Sequence, residues 1–444
     1  MLLLVSLSGC GGSHGGGRGA SSGKPAVTAR LPSPALPGPA FGLTEDNAQL
    51  LWSPGEDSED EDAASAAEVG RQAQAASAAE GLAPAFAGAR EQLTALHPTY
   101  IRLLVDWAAL QPQADRPANL DGAVSGCART VGPCGAYAGL REELAAIASQ
   151  QRAARRQGQS AFQVVLDIFG TPAWAAREPS GCELPDSTAF SRPISPAGLA
   201  GYRALIRGLL ALGAREGVAL DWWSPWNEPN DAVFISPQRE SCATSSPSRS
   251  PAVYAELAQA MSAELRAAGG ERKMLLGELN AFSSDSPHRM SVASFIAALP
   301  PQVLCLSGVW SIHVYAAQGS ATPREDPVAA FEAALDAGGA CGRRASVWIT
   351  EAGAGAPHPG RRRPPGAEDE RTGCEVLAGQ LARWSQDPRI GAVFQYSFRE
   401  DPEFPVGLLS ADLAHVYPAY RVWISYTRAR ARGTLPGSLA GRCA

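Results

Sequence analysis

Short apolar runs alternate with stretches rich in Ala, Leu and Arg along most of the 444-residue chain. The runs have the length of buried strands, and the stretches between them have the apolar spacing of amphipathic helices. Eight strands, each followed by a helix, predict an α/β fold, a (β/α)8 TIM barrel built as a single domain with long loop insertions. The predicted strands are Ala40–Leu43, Thr99–Val105, Phe162–Phe169, Leu220–Trp226, Lys273–Asn280, Gly308–Tyr315, Ser346–Glu351 and Gly391–Ser397. The predicted helices are Leu82–Leu96, Tyr137–Gln157, Pro196–Glu216, Pro251–Ala268, Ser291–Leu299, Pro327–Ala337, Thr372–Gln386 and Tyr417–Ala431.

A doubly wound open sheet is the alternative fold, but it should carry a Gly-rich phosphate turn after an early strand, and the sequence shows none. Long polar insertions follow the first, second, third, fourth and seventh strands, which predicts elaborated loops on the functional face of a barrel. The acidic run from Glu56 to Asp62 lacks the ligand spacing of a calcium loop and is interpreted as solvated. The run Arg361-Arg362-Arg363 is interpreted as an exposed basic turn, with contact to an anionic sugar as the alternative.

The N-terminal residues predict how the domain is delivered. Residues 1–10 form a short apolar segment, and Leu7-Ser8-Gly9-Cys10 resembles the lipobox of bacterial lipoprotein signals. Plain secretion and a buried strand are the alternatives. Residues 11–38 are rich in Gly, Pro and Ser and predict a flexible tether, followed by the domain at 39–435 and a C-terminal tail at 436–444.

The net charge of the chain limits the kinds of partner that it is expected to bind. The formal net charge is −6, which offers no basic face for nucleic acid, and no run approaches the ~20 apolar residues of a membrane span. The only membrane contact we expect is a lipid anchor at Cys10. The oligomeric state is not predicted.

Cysteine usage indicates an oxidising, extracytoplasmic location. Nine cysteines minus a lipidated Cys10 leave an even number, none with the Cys-x2-Cys spacing of a zinc site. A local Cys127–Cys134 disulfide is the first expectation, although eight cysteines allow 105 pairings and scattered buried thiols are the alternative. The eight are Cys127, Cys134, Cys182, Cys242, Cys305, Cys341, Cys374 and Cys443.

Two glutamates follow strands of the predicted barrel. Glu228 lies in Trp226-Asn227-Glu228-Pro229 after the fourth strand, and Glu351 ends the seventh in Ile349-Thr350-Glu351-Ala352-Gly353. In a closed barrel both side chains project toward one central mouth. Hydrolysis of a glycosidic bond needs such a pair, one carboxyl to protonate the leaving oxygen and one to attack the anomeric carbon. The structural alternative is a turn shaped by Asn227 and Pro229 and a merely solvated Glu351.

These motifs resemble clan A retaining glycoside hydrolases, whose acid/base glutamate follows an asparagine after strand four and whose nucleophile glutamate ends strand seven. The resemblance covers the barrel. The motifs are similar both to those of the family of β-xylosidases and α-iduronidases and to those of cellulase-like families. It implies Glu351 as nucleophile, Glu228 as acid/base and Asn227 as a ligand of the sugar 2-hydroxyl. It also implies a carbohydrate substrate, and no metal or organic cofactor is needed because carboxyls fill both roles.

Further residues fit this resemblance. Arg102 lies within the second strand, where a buried cation needs an anion, and Glu351 is its expected partner. His313 and Tyr315 near the end of the sixth strand share one face. The resemblance implies that Tyr315, or else His313, donates a hydrogen bond to the nucleophile, while His313 orients the site or contacts sugar.

Substrate contacts are predicted from position. Glu278 and Asn280 end the fifth strand with matching parity, and Trp174 follows the third strand as a sugar platform, with core packing as the alternative. The eighth strand lacks the tryptophan that the resemblance leads one to expect, so Phe398 or Tyr396 is predicted to replace it. A non-catalytic glycan-binding barrel and a cell-envelope transglycosylase remain alternative functions. Sugar identity, anomeric linkage and endo or exo action are not predicted.

Overall fold

The structure is a computed structural model of the chain. It describes residues 36–45, 84–121, 139–158, 160–270, 272–315, 326–355, 363, 366–400, 404–410 and 413–444. The predictions on residues 1–35, on the acidic run Glu56–Asp62, on Cys127–Cys134 and on Arg361-Arg362 lie outside the described residues.

The described strands form one parallel sheet that closes into a barrel. The predicted fifth strand is divided at Leu275 into β5, which pairs with β4, and β6, which pairs with β7. The remaining neighbours run in the order β4-β3-β2-β1-β9-β8-β7, so the divided strand joins the two ends of the sheet. The predicted (β/α)8 barrel is confirmed. The strands are β1 (Ala40–Glu45), β2 (Tyr100–Asp106), β3 (Gln163–Phe169), β4 (Leu220–Ser224), β5 (Lys273–Met274), β6 (Leu276–Asn280), β7 (Val309–His313), β8 (Ser346–Ala352) and β9 (Ile390–Tyr396).

Helices lie between the strands and bury one face against them. In α4, Ser195 caps the first turn by accepting from the Gly198 N–H, and Gly217 ends the helix with φ +73°. The described helices are α1 (Pro84–Leu96), α2 (Trp107–Leu110), α3 (Gly139–Arg156), α4 (Pro196–Glu216), α5 (Ser250–Ala268), α6 (Val292–Ala298), α7 (Pro301–Leu304), α8 (Pro327–Ala337), α9 (Ala340–Arg343), α10 (Ala367–Trp384) and α11 (Pro418–Ala431). Most bounds match the predicted helices within two residues, but α10 begins five residues earlier than predicted.

An aromatic layer fills one end of the barrel interior. Tyr100, Trp222 and Trp348 contact one another, with the Trp348 ring centroid 4.6 Å from Tyr100 and 4.5 Å from Trp222. Because side chains on a strand alternate, Arg102 lies on the same face of β2 as Tyr100, one layer closer to the carboxyl ends of the strands. The aromatic layer therefore closes the barrel beneath the polar residues of the site.

Disulfides fasten the outer parts of the domain. Among the described residues they are Cys182–Cys242, Cys305–Cys341 and Cys374–Cys443. The last one changes the interpretation of residues 436–444, which were predicted to be a tail: Leu439 and Cys443 are buried, and the segment packs on α10 and α11. Within the described part of the chain, no helix has the length and hydropathy to cross a bilayer.

Candidate active site

Glu228 and Glu351 meet at the carboxyl ends of the strands. One oxygen of each carboxylate and one nitrogen of His313 all lie within 4.8 Å of one another. The Glu228 side chain is 13% exposed and that of Glu351 9%, whereas Arg102 and Glu278 beneath them are completely buried. The two glutamates are thus the acidic groups of this cluster that face the barrel mouth.

The loop after β4 holds Glu228 in place. The Asn227 N–H donates to the Ile168 carbonyl, and the Trp226 indole N–H donates to the Phe234 carbonyl. Glu228 itself has φ +36°, a left-handed conformation that is costly for this residue type and is concentrated at functional sites. Its Oε2 accepts from Asn280 Nδ2 at 3.3 Å, so the side chain is held between the loop and β6.

Glu351 is held by a cation and a phenol. Arg102 Nη1 donates to its Oε1 at 2.9 Å, and the Tyr315 hydroxyl donates to its Oε2 at 2.6 Å. The pairing of β8 is irregular around Thr350, which lets Thr350 and Glu351 both reach the interior groups. Two donors, one of them a cation, therefore fix both oxygens of this carboxylate.

Arg102 is the centre of the buried layer below. Its Nη2 donates to Asp167 at 2.8 Å, to the Asn227 side chain at 2.9 Å and to Glu278 at 3.0 Å. Sequence reasoning missed Asp167, although a charged residue in the apolar run of β3 is the same signal that identified Arg102. Burial raises the pKa of Asp167 well above its usual value, with the Arg102 charge acting in the opposite direction.

Glu278 and Asn280 were both predicted to contact the sugar, but the two side chains lie in different surroundings. Asn280 points to Glu228, and its own N–H donates to the Asn230 side chain, a support that the sequence did not reveal. Glu278 is completely buried and its contacts are with Arg102, His313 and Thr350, so the prediction of a direct sugar contact is not supported. Its φ of +51°, in an irregular stretch of β6, turns it inward.

His313 lies between three carboxylates. Its Nδ1 is 2.8 Å from Glu228 Oε1 and 3.4 Å from Glu351 Oε2, and its Nε2 is 2.7 Å from Glu278 Oε2. Burial by itself lowers the pKa of His313, but the charge of Glu351 and the hydrogen bonds with Glu228 and Glu278 raise it to about 10. The three carboxylates around the ring therefore favour an added proton at this place.

Two of the predicted aromatic platforms, Phe398 and Trp174, are packed into the protein. Phe398 is completely buried in the hydrophobic core and presents no face to the mouth, which corrects its assignment as a sugar platform. Trp174 packs against Trp107 and donates its indole N–H to the Gln111 carbonyl, an arrangement that favours the packing alternative.

Tyr396, the other predicted platform, belongs to an aromatic group beside the nucleophile candidate. Tyr396 and Phe404 pack edge to face at 5.5 Å, and the Phe404 ring is 5.1 Å from that of Tyr315. Phe404 comes from the loop after β9, where sequence reasoning had no strand position to place it. Tyr315, Tyr396 and Phe404 form what we call the aromatic wall.

Glu228, His313 and Glu351 also have a spacing that could hold a metal ion. Their ligand atoms already bond to groups of the protein, since Glu351 accepts from Arg102 and Tyr315 and His313 is bonded at both nitrogens. The cation Arg102 also lies 2.9 Å from Glu351. The donor set therefore fits a carboxylate pair with its own positive partners better than it fits a metal centre.

Arg363 is not the exposed basic turn that was predicted. Its guanidinium bonds to the Glu400 carboxylate and to the carbonyls of Ala354 and Gly407, and it stacks on Tyr417 at 3.7 Å from the ring centroid. It therefore joins the loop after β8 to the loop after β9.

No protein-family model matches the chain, and no curated protein sequence matches it. Among solved structures, SrfJ from Salmonella typhimurium is similar over 89% of this chain and 75% of its own, with 10% identity and a TM-score of 0.53. An exo-beta-1,4-mannosidase, Op5Man5 from Opitutaceae bacterium strain TAV5, shares 13% identity at a TM-score of 0.49. The match covers 90% of this chain, which spans only 61% of that enzyme. GH5_18 from Streptomyces cattleya, solved in complex with GlcNAc, shares 18% identity over 91% of this chain and 83% of its own, with a TM-score of 0.47. At these identities the likeness shows the barrel fold alone.

Proposed function

We propose that the chain is a retaining glycoside hydrolase, in which Glu351 is the nucleophile and Glu228 the general acid/base. The observation that carries the proposal is the pair itself: two carboxylates with one oxygen of each within 4.8 Å, which share His313 and otherwise have different partners. Glu351 is held by Arg102 and Tyr315, which aim the carboxylate as a nucleophile must be aimed. Glu228 accepts from the neutral donor Asn280 and lies 2.8 Å from His313 Nδ1, a group that can exchange protons with it.

The reaction has two steps with the same two residues. In the first, Glu351 attacks the anomeric carbon, the bond to the leaving oxygen breaks, and Glu228 gives that oxygen a proton. In the second, Glu228 takes a proton from water, the water oxygen attacks the anomeric carbon, and Glu351 is released as a carboxylate. Each step inverts the anomeric centre, so the product retains the configuration of the substrate.

Distance favours retention over inversion. Retaining enzymes hold their carboxyl groups about 5–5.5 Å apart, whereas inverting enzymes need about 6.5–9.5 Å to admit a water molecule between sugar and base. One oxygen of Glu228 and one of Glu351 lie within 4.8 Å of each other. This short approach is what a direct attack by Glu351 needs and favours the retaining arrangement.

The surroundings suggest how a sugar is held. Asn227 lies next to the acid and is fixed by Arg102, a position from which it can bond the 2-hydroxyl. The aromatic wall stands beside Glu351 and offers flat apolar faces to a sugar ring. The disulfides fit action on an oligosaccharide, polysaccharide or glycoconjugate outside the cytoplasm, and a lipid anchor at Cys10 stays part of the proposal.

The test is a panel of aryl glycosides that differ in sugar and anomeric linkage, assayed with wild type, Glu351→Ala and Glu228→Ala. We expect wild type to cleave at least one, Glu351→Ala to lose at least about 10⁴-fold, and azide to restore cleavage by Glu228→Ala of a substrate with a good leaving group. Glu256→Ala, an exposed glutamate on α5, is the matched control and should match wild type.

Full activity of Glu351→Ala would overturn the assignment. Binding of glycans without cleavage of any would instead favour a non-catalytic glycan-binding barrel, and transfer to sugar acceptors in place of water would favour a transglycosylase.

A further inference from the structure

Glu278 is a buried carboxylate that the two-step mechanism does not use. Its Oε2 receives three hydrogen bonds, from Thr350 Oγ1 at 2.7 Å, from His313 Nε2 at 2.7 Å and from Arg102 Nη2 at 3.0 Å. Burial by itself raises the pKa of Glu278, but the charge of Arg102 and the hydrogen bond from His313 lower it to about 2. Glu278 is therefore an ionised acceptor with no proton to donate.

This settles which nitrogen of His313 carries its own proton. Since Glu278 can only accept, the hydrogen of the 2.7 Å bond must belong to Nε2. Nδ1 then faces Glu228 Oε1 at 2.8 Å, either donating a second proton to the carboxylate or accepting one from the protonated acid. In both cases one extra proton lies between Nδ1 and Glu228. It is additional to the proton that the neutral ring carries on Nε2.

We propose that Glu278 is a positioning residue, which fixes the Nε2–H tautomer of His313 so that Nδ1 and Glu228 share the proton delivered to the leaving group. The inference rests on the proposed function and assigns the source of its acid. When the glycosidic bond breaks, the shared proton goes to the leaving oxygen and the ring keeps its Nε2–H. In the second step the attacking water returns one proton to the same bond.

Loss of Glu278 would change the protonation of the pair. Without an acceptor at Nε2, the neutral ring can place its only proton on Nδ1 and donate it to an ionised Glu228. That proton cannot be delivered, because its loss would leave an imidazolate. Glu228 would then have a satisfied hydrogen bond and no acidic proton.

Other charged groups also face the ring and must be considered. Glu351 on β8 lies 3.4 Å from Nδ1, Arg102 on β2 reaches the ring through Glu278, and Asp167 on β3 shares Arg102 with Glu278. Asp167 is bonded to Arg102 and, among the described residues, makes no hydrogen bond to His313. Asp167→Asn is therefore the matched control, a buried isosteric change on the same arginine.

The direct experiment is ¹⁵N NMR of the histidine rings, which reports which nitrogen is protonated. The chain has six histidines, and a His313→Gln variant identifies the signal. In wild type we expect a protonated Nε2 at every pH where the protein is folded. In Glu278→Met, which has no acceptor oxygen, we expect a neutral Nδ1–H ring near pH 7, while Asp167→Asn keeps the wild-type pattern. A bare Nε2 in wild type would overturn the inference without any measurement of activity.

Steady-state kinetics provide a second test of the role of Glu278. Removing the negative charge and the acceptor at position 278 disfavours the extra proton, so the alkaline limb of kcat/KM should move to lower pH by about one unit or more in Glu278→Met. Substrates with poor leaving groups should lose about 10²–10⁴-fold, and dinitrophenyl glycosides, which need little acid, only a few-fold. Asp167→Asn should lower the rate equally for both kinds of substrate and should leave the pH of the alkaline limb unchanged.

Losses in Glu278→Met that are independent of the leaving group would contradict the positioning role. If Glu278→Met does not fold, Thr350→Val removes one donor to Glu278 but keeps its charge, so the carboxylate should bond more strongly to His313. The alkaline limb should then move slightly to higher pH, and a move to lower pH or no shift would count against the inference. A wild-type protein that cleaves no glycoside would refute the proposed function, while the ring protonation would still test the contact between Glu278 and His313.

Discussion

Replacing Arg102 with methionine tests the buried charge layer most severely. Arg102 is completely buried and bonds to three carboxylates, those of Asp167, Glu278 and Glu351. Removing a cation from such a cluster leaves unpaired buried charges, which typically costs 3–5 kcal/mol of unfolding free energy. The pKa of Glu278 gives a second route to the magnitude: a fall from 4.5 to about 2 corresponds to about 3 kcal/mol.

The pH dependence has a definite sign. A carboxyl whose folded pKa is lowered stabilises the fold above its unfolded pKa, and this stability is lost as pH falls through the folded value. For Glu278 the window runs from about 4.5 down to about 2. The difference in unfolding free energy between wild type and Arg102→Met should therefore be largest near neutral pH and should shrink across that window.

The assay is chemical and thermal denaturation of both proteins between pH 2.5 and 7. For the roughly 330 residues that the structure describes, the unfolding entropy is roughly 0.7 kcal/mol per kelvin, so we expect a loss in Tm of about 4 to 7 °C at pH 7. Arg207→Met is the control, because Arg207 is a surface arginine paired with Glu264 and should cost less than about 1 kcal/mol. A cost below about 1 kcal/mol for Arg102→Met, or one that does not change with pH, would refute the reasoning.

Three further predictions concern the wall, the acid and the C-terminal segment. Phe404→Ala removes one face of the aromatic wall and should raise KM about 10-fold with little change in Tm, since the ring is only half-buried; an unchanged KM for every cleaved glycoside would place the sugar elsewhere. Asn280→Ala removes the donor to Glu228 Oε2 and should lower kcat about 5- to 10-fold, more for poor leaving groups than for good ones, as steady-state kinetics would show. Cys374→Ser opens a disulfide that spans 69 residues and should lower stability by about 4 kcal/mol in calorimetry, whereas an unchanged Tm would mean that the bond to Cys443 does not constrain the fold.

Strand positions and the residues at their carboxyl ends were accessible from the sequence because a barrel repeats one pattern. Each apolar run gave a strand, and the last residues of a run could be assigned to the mouth. Arg102 was found because a lone cation in an apolar run needs an anion, and Asp167 carried the same signal without being recognised.

Local irregularities of the strands and the positions of loop residues could not be predicted from the repeated pattern. The left-handed conformation of Glu278 and the irregular pairing around Thr350 change which side chains point inward, and simple alternation along a strand does not predict them. Phe404 reaches the site from a loop, and its place depends on tertiary packing. Phe398 was assigned from its position after the eighth strand, yet the chain turns it into the core.

The stereochemistry of the first product tests the central claim most directly. A glycoside identified in the aryl panel would be hydrolysed in an NMR tube, and the anomeric proton of the sugar recorded before mutarotation. With carboxylate oxygens of Glu228 and Glu351 within 4.8 Å, we predict a product with the anomeric configuration of the substrate. A first product of the opposite configuration would contradict attack by Glu351 and the roles proposed for both glutamates.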